Sequence, residues 1–317
     1  MNIHFILPGE TLEIISKKIK LENPVYLKEF HNSHCTPYDF IQDDLLPGRK
    51  LLIPDLNKVN FYNSRNDAPH KLANRNPKLS FNPENLKKKY RVSVIQTSET
   101  DGKKKISQFS YNIHLEWTGK VENIHYFNFS KTEINEQNQT KMSALAAAFA
   151  QSVNPIELAV SETGNLLEAK LNDEVKRKFH EIKSGLEDQF PDEFAKIYLD
   201  KFEFSIANHQ IFNDKMKGDW FLKTYFAQFR KTFVNGQSEY PMAVSCLPLT
   251  LVQEGFEDDH IVLRSALKNQ EDETQFTSEY HLYTENGIIQ YYRYTLAETE
   301  FGSLYTTVFK ARETEKS

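Results

Sequence analysis

Clustered histidine, cysteine and carboxylate residues are where chemistry would be sought first. This chain offers one such cluster, His31-x-x-His34-Cys35, with Asp39, Asp43 and Asp44 following it. Imidazole and thiolate are good zinc ligands. A closed site needs further convergent donors, however, and neither a CxxC partner nor a second histidine pair at ligand spacing is present. Structural or surface roles are therefore the better reading, and no metal is expected. His180-Glu181 and Asp258-Asp259-His260 lack the HExxH spacing that puts two ligands on one helix face. His114 and His125 alternate with apolar residues and read as structural strand histidines. There is no GxSxG, Walker loop or strand-borne GxGxxG. No catalytic residue or cofactor is expected, although groups converging from distant parts of the chain stay open.

A second resource is aromatic. Trp117, Tyr126, Phe127, Phe129, Trp220, Phe221, Tyr225, Phe226, Phe229, Tyr280, Tyr283, Tyr291, Tyr292 and Tyr294 are available to line a ligand or partner site. Core filling and cross-strand pairing are the commoner uses of such residues. The run Tyr291-Tyr292-x-Tyr294 must put rings on both faces of a strand, which favours a protein interface on one of them.

These groups have to be positioned by a chain of 317 residues, long enough for two domains. Its 39% hydrophobic content supports packed cores, and a net charge of −5 argues against nucleic acid as a partner. The two cysteines, Cys35 and Cys246, do not suggest a disulfide framework. The first apolar run, Ile3 to Leu7, stops at Pro8-Gly9, too short for a secretory signal, and no run reaches membrane-span length. A cytoplasmic location is the default expectation, with export by a machine other than the general secretory route as the alternative.

The N-terminal stretch is bracketed by two Pro-Gly pairs. Ile3–Leu7 reads as a strand, Thr11 caps a helix bearing Leu12, Ile15 and Ile19, and Asn23-Pro24 starts a second helix through Phe30. Lys50–Ile53 is the closing strand. The opening Pro8-Gly9-Glu10-Thr11-Leu12, the helix Ile15-Ser16-Lys17-Lys18, the ending Phe30-His31-Asn32 and the close Leu45-Leu46-Pro47-Gly48-Arg49-Lys50-Leu51-Leu52-Ile53-Pro54 together resemble a LysM domain. The resemblance covers residues 3–54, and the loop from Ser33 to Asp44 is longer than the family's usual one.

That resemblance implies a βααβ module whose two loops flank a shallow groove for an N-acetylglucosamine-containing chain such as peptidoglycan. Carried over by motif, the groove residues are Gly9, Glu10, Thr11 and Leu12 on one loop. On the other they are Asp44, Leu45, Leu46, Pro47 and Gly48. The same residues also suffice as turn and core positions of the fold, so both roles stay open.

Residues 57–88 are rich in Asn, Pro and Lys and read as a linker, with Lys58, Arg65, Lys71, Arg75 and Lys78 as exposed charges. The remainder, 89–317, opens with strands around an Asp101-Gly102 turn. It then runs helical from Gln137 to Gln151, Asn172 to Leu186, Asp192 to Ile206 and Lys217 to Phe226. Strands return after Gly236 with Cys246–Gln253, Asp259–Ala266, Thr274–Thr284, Ile288–Leu296 and Ser303–Arg312. The expected fold class is thus α+β: a small module at 1–56, then a larger domain with a curved antiparallel sheet and a helical insert filling its concave side.

The functional expectation is a non-catalytic binding or adaptor protein with a glycan-binding LysM module and a C-terminal protein- or ligand-binding domain. The alternative is an assembly component of a contractile, phage-tail-like (type VI secretion-like) injection system, or an effector enzyme delivered by one.

Overall fold

The computed structural model describes residues 2–42, 45–65, 67–69, 76–234, 236–244, 247–268 and 274–314. The chain divides into two compact units, Met1–Arg75 and Asn76–Ser317.

In the first unit, β1 (Asn2–Phe5) pairs antiparallel with β2 (Lys50–Ile53). Between them lie α1 (Leu12–Lys18), α2 (Val25–His34) and a short 3-10 turn, Pro37–Asp39. Thr11 caps α1 by accepting from the Ile14 amide, and Lys17 and Lys18 stand in its last turn, where they oppose the helix dipole. Strand alternation sends Ile6, Leu51 and Ile53 inward against Ile15, Leu27 and Phe30. The unit does not end at Pro54. A third helix, α3 (Leu56–Asn63), contributes Val59 and Tyr62 to the same core, with Tyr62 stacked on Tyr26 at 4.6 Å.

The second unit is built on one sheet of eleven strands, β3 to β13. Their ranges are β3 (Lys87–Thr100), β4 (Lys103–Val121), β5 (Ile124–Glu136), β6 (Ile156–Ser161), β7 (Leu166–Leu171) and β8 (Gln237–Val244). These are followed by β9 (Leu247–Glu257), β10 (His260–Leu267), β11 (Thr274–Tyr283), β12 (Ile289–Glu300) and β13 (Ser303–Glu313). The spatial order is β7-β6-β5-β4-β3-β13-β12-β11-β10-β9-β8, with every pairing antiparallel. Helix α4 (Lys141–Ser152) interrupts the strands between β5 and β6. Helices α5 (Asp173–Gln189), α6 (Glu193–Ala207), α7 (His209–Lys217) and α8 (Trp220–Tyr225) lie between β7 and β8.

One face of this sheet carries the core: Tyr90 and Val92 of β3, Ile113 of β4, Tyr280 of β11, Tyr292 of β12 and Phe309 of β13 are among its buried residues. Phe221, Tyr225 and Phe229, from α8 and the segment after it, belong to the same cluster. Both sheet edges are guarded. At β7, the Asn213 side chain of α7 accepts from the Ala169 amide at 2.9 Å. At β8, Pro241 has no N–H to offer another strand.

This architecture corrects the expected fold class. A small βααβ module followed by an α+β domain with a helical insert does not describe the molecule, which is dominated by a single long antiparallel sheet. The two strand groups separated by helices in the sequence are one continuous sheet, because β13 runs beside β3 in register from Leu304↔Glu99 to Glu313↔Tyr90. The first unit also exceeds its expected outline, since α3 closes its core. Strand β8 lies where no strand is predicted. Residues 76–86, read as linker, bury Phe81 and Leu86 in the core of the second unit.

Candidate functional site

The two turns singled out in the first unit lie side by side. The Ile6 amide donates to the Arg49 carbonyl at 3.0 Å, and the Gly48 amide donates to the Ile6 carbonyl at 2.8 Å. These bonds extend the β1–β2 ladder to the tips of the turns Leu7–Glu10 and Leu46–Arg49, each closed by a main-chain hydrogen bond. Gly9 and Gly48 adopt φ of +83° and +84°, left-handed conformations that a side chain would strain. No heavy atom stands within 4 Å of where a Cβ on either would be, so the space above both is open among the described residues.

Glu10 locks the first turn. Its Oε2 accepts from the Leu7 amide at 2.9 Å and pairs with His4 Nε2 at 2.6 Å, while Oε1 accepts from Lys18 Nζ at 2.6 Å. The Leu7 amide first, then Lys18 and His4, hold its pKa down to about 2. A carboxylate so engaged is a fastener of the fold, and its oxygens are not free for a ligand. Its ordinary value is 4.5, so the stabilisation it adds is complete above that pH and is lost as pH falls towards about 2. The stability difference between the protein and Glu10→Gln is therefore expected to close between about pH 5 and about pH 2. Paired urea titrations followed on resonances of residues 2–65 check this.

The remaining expected groove residues divide by burial. Leu12 and Leu45 are partly buried against the small core. Thr11 is exposed but engaged as the α1 cap. Leu46 is 52% exposed at the turn tip, and Pro47 is exposed beside it. Asp44, like Asp43, lies outside the described residues. Two residues that the sequence does not single out join them. Leu7 is 55% exposed on the first turn, and Tyr38 is 92% exposed on the α2–β2 connection, where its carbonyl accepts from Arg49 Nη1 at 3.1 Å. An apolar residue directly before the Pro8-Gly9 turn pair is the sequence signal that would have found Leu7.

Within the histidine–cysteine cluster, His31 has a structural role. His31 is buried; its Nδ1 accepts from the Leu52 amide at 3.0 Å, leaving Nε2 to donate to the Asp39 carbonyl at 2.8 Å. Both nitrogens join α2 to its neighbours, and neither has a lone pair left for a metal. Cys35 is a partly buried free thiol whose pKa is raised, first by burial and then by the Asp39 charge. No group of metal-ligating residues occurs among the described residues.

In the second unit, His114, His180, Glu181, Asp258, Asp259 and His260 are exposed and form no cluster. Most of the aromatic residues proposed as a lining are core: Phe127, Phe129, Phe221, Tyr225, Phe226, Phe229, Tyr280, Tyr292 and Tyr294 are all buried. Tyr291 faces the other side of the sheet, with His281 edge-on at 5.2 Å and the Arg312 guanidinium 5.2 Å above its ring. Among the linker cations, Lys58 and Arg65 lie over the rings of Phe61, Tyr62 and Tyr26. Lys78 is exposed, and Lys71 and Arg75 lie outside the described residues. No helix among the described residues is long and apolar enough to cross a membrane.

No protein-family model matches this chain, and no curated protein matches it. Among solved structures it is similar to lipovitellin, described for its lipid–protein interactions, at 9% identity and a TM-score of 0.44. That match covers 72% of this chain and 25% of the other, so this chain spans a quarter of lipovitellin's length. It is also similar to Rv2717c from M. tuberculosis, at 8% identity and a TM-score of 0.20, covering 71% of this chain and 91% of that one. A third likeness is a DUF1329 family protein from Desulfovibrio piger, at 8% identity and a TM-score of 0.22, covering 73% and 88%. With TM-scores this low, the likenesses carry no argument about function.

Proposed function

We propose that the first unit is a glycan-binding module that takes an N-acetylglucosamine-containing chain across its paired turns. The observation that carries this reading is the juxtaposition of Leu7–Glu10 with Leu46–Arg49 through the Ile6 hydrogen bonds, with open space over Gly9 and Gly48. A sugar bearing acetamido groups needs close approach to main-chain polar groups and an apolar shelf for its methyls. The two glycines supply the approach, and Leu7 with Leu46 supplies the shelf. The resemblance of residues 3–54 to LysM domains points the same way. Among the expected groove residues, this reading assigns ligand contact to Gly9, Leu46, Pro47 and Gly48. It assigns a supporting role to Glu10, Thr11, Leu12 and Leu45.

The test is retention of the full chain on purified peptidoglycan. Covering the exposed half of one leucine is worth about 1 kcal/mol, or roughly fivefold in affinity. Leu46→Ser and Leu7→Ser are each expected to weaken retention by about that factor, with unchanged circular dichroism. Phe61→Ser, at an exposed position on α3, should leave retention as it was. Failure of the unsubstituted protein to be retained would sink the proposal.

A further inference from the structure

The second unit contains a 640 Å³ pocket formed by residues 79–84, the β4–β5 hairpin, the β6–β7 turn and Arg230. Its size is within the range of small-molecule sites. What distinguishes it is the state of two polar side chains, the half-buried Arg230 and the buried His125.

Arg230 enters from the segment after α8. Its guanidinium lies 4.6 Å from the centre of the Phe81 ring and 4.4 Å from that of Phe229. Nη2 donates to the Gly287 carbonyl at 3.2 Å, whereas Nε and Nη1 are buried without a hydrogen-bond partner among the described residues. Nη1 lies under the β6–β7 turn, 2.6 Å from where a Cβ on Gly164 would stand. Burial draws the Arg230 pKa down to about 10, which leaves it charged at neutral pH. No carboxylate forms an ion pair with it among the described residues. Nearby Lys120 and Glu162 pair with each other at 3.0 Å, and Glu84 is exposed at the rim. A buried cation without a counter-ion is costly, and ring stacking offsets only part of that cost.

His125 is the second group, 4% exposed and lining the same pocket. Trp117 Nε1 donates to its Nδ1 at 3.2 Å, which puts the ring proton on Nε2. That N–H has no hydrogen-bond acceptor among the described residues. Burial first, then the Lys120 charge, lowers the His125 pKa, while Glu162 and Glu84 pull the other way. Near neutral pH it serves as an uncharged donor.

We infer that this pocket is an oxyanion site, taking the carboxylate or phosphate head of a small organic acid, with Arg230 as counter-ion and His125 Nε2–H as neutral donor. Ser80 is a further polar residue at its wall, and Phe81 with Leu79 offers an apolar surface to the body of the ligand. The inference concerns the second unit alone and is independent of glycan binding by the first.

Trp117 makes the site readable, because the chain holds only two tryptophans and the Trp117 indole N–H touches His125 directly. The full chain is titrated with inorganic phosphate and, separately, with acetate at constant ionic strength in sodium chloride, following the two indole N–H resonances. The Trp117→Phe protein assigns them. At least one probe is expected to shift the Trp117 signal saturably, with half-saturation below about 10 mM, while Trp220 stays fixed. Saturation by phosphate alone or acetate alone identifies the head group. Arg230→Met should weaken binding at least tenfold, and Arg230→Lys less, as the charge is kept without the planar fork. Should Arg230→Met fail to fold, His125→Phe is read instead, and a severalfold loss is expected. Absence of a saturable shift with both probes overturns the inference, as does undiminished binding by the folded variant read.

Discussion

Gly287→Ala is expected to destabilise the second unit by about 3–5 kcal/mol, large for the addition of one methyl group. Gly287 sits in the β11–β12 turn at φ +67°, and a Cβ built there would stand 1.9 Å from the main-chain oxygen of Ser80. The left-handed backbone alone accounts for about 1 kcal/mol. The rest comes from the clash, which no rotamer change relieves because the obstacle is backbone. The neighbourhood is also tied down: the Asn82 amide donates to the Asn286 carbonyl at 2.9 Å, and the Gly287 carbonyl receives Arg230. For a unit this size the melting temperature should fall by about 10 °C. Calorimetry on the full chain measures it, with Gly102→Ala as the control. Gly102 is another turn glycine with positive φ, and nothing lies within 4 Å of its Cβ position, so only the backbone part should be lost. Equal losses at the two positions would mean that the close approach to Ser80 is not a constraint.

Phe229→Ala should cost a similar amount, about 3–5 kcal/mol, through the loss of a buried ring and the cavity left behind. Phe229 is fully buried, stacks on Tyr280 at 4.4 Å and lies under the Arg230 guanidinium. Its carbonyl accepts from the buried Gln253 Nε2 at 2.6 Å, so the main chain cannot easily collapse into the void. Guanidinium chloride titration followed by near-ultraviolet circular dichroism reads the loss. Phe229→Leu should retain more than half of the stability that Phe229→Ala loses. A loss under about 1 kcal/mol for Phe229→Ala would show that this ring is not a packing centre.

Features decided by neighbours in the chain were legible in the sequence. The Pro-Gly pairs, the Thr11 cap and the turn at Asp101-Gly102 each combine residues that fit one local geometry. Helix α3 reads as linker in the sequence because its amphipathic signal is spread over eight residues, and only contact with Tyr26 gives Tyr62 a reason to be buried. Strand β8 is hidden for a related reason, since Pro241 argues against a strand unless that strand lies at an edge. The pairing of β3 with β13 joins residues more than 200 positions apart, and no local pattern encodes it. The paired turns of the first unit could therefore be anticipated. The Arg230 pocket could not, because an arginine held between aromatic rings reads in sequence like any surface arginine.

The place of β13 has a consequence for how this protein must be made. The sheet's central seam, β3 against β13, joins the first strand of the second unit to its last. As the polypeptide leaves the ribosome, the block β3–β7 emerges first with one flank of β3 unpaired, and β8–β12 follows with an open flank on β12. Neither block can bury that flank until β13 has been synthesised and slots between them. The β3 flank therefore stays adhesive for the time needed to translate well over a hundred codons, whereas β13 follows β12 almost at once; the long wait of β3 is the interval in which chaperone capture or mispairing between nascent copies competes with folding.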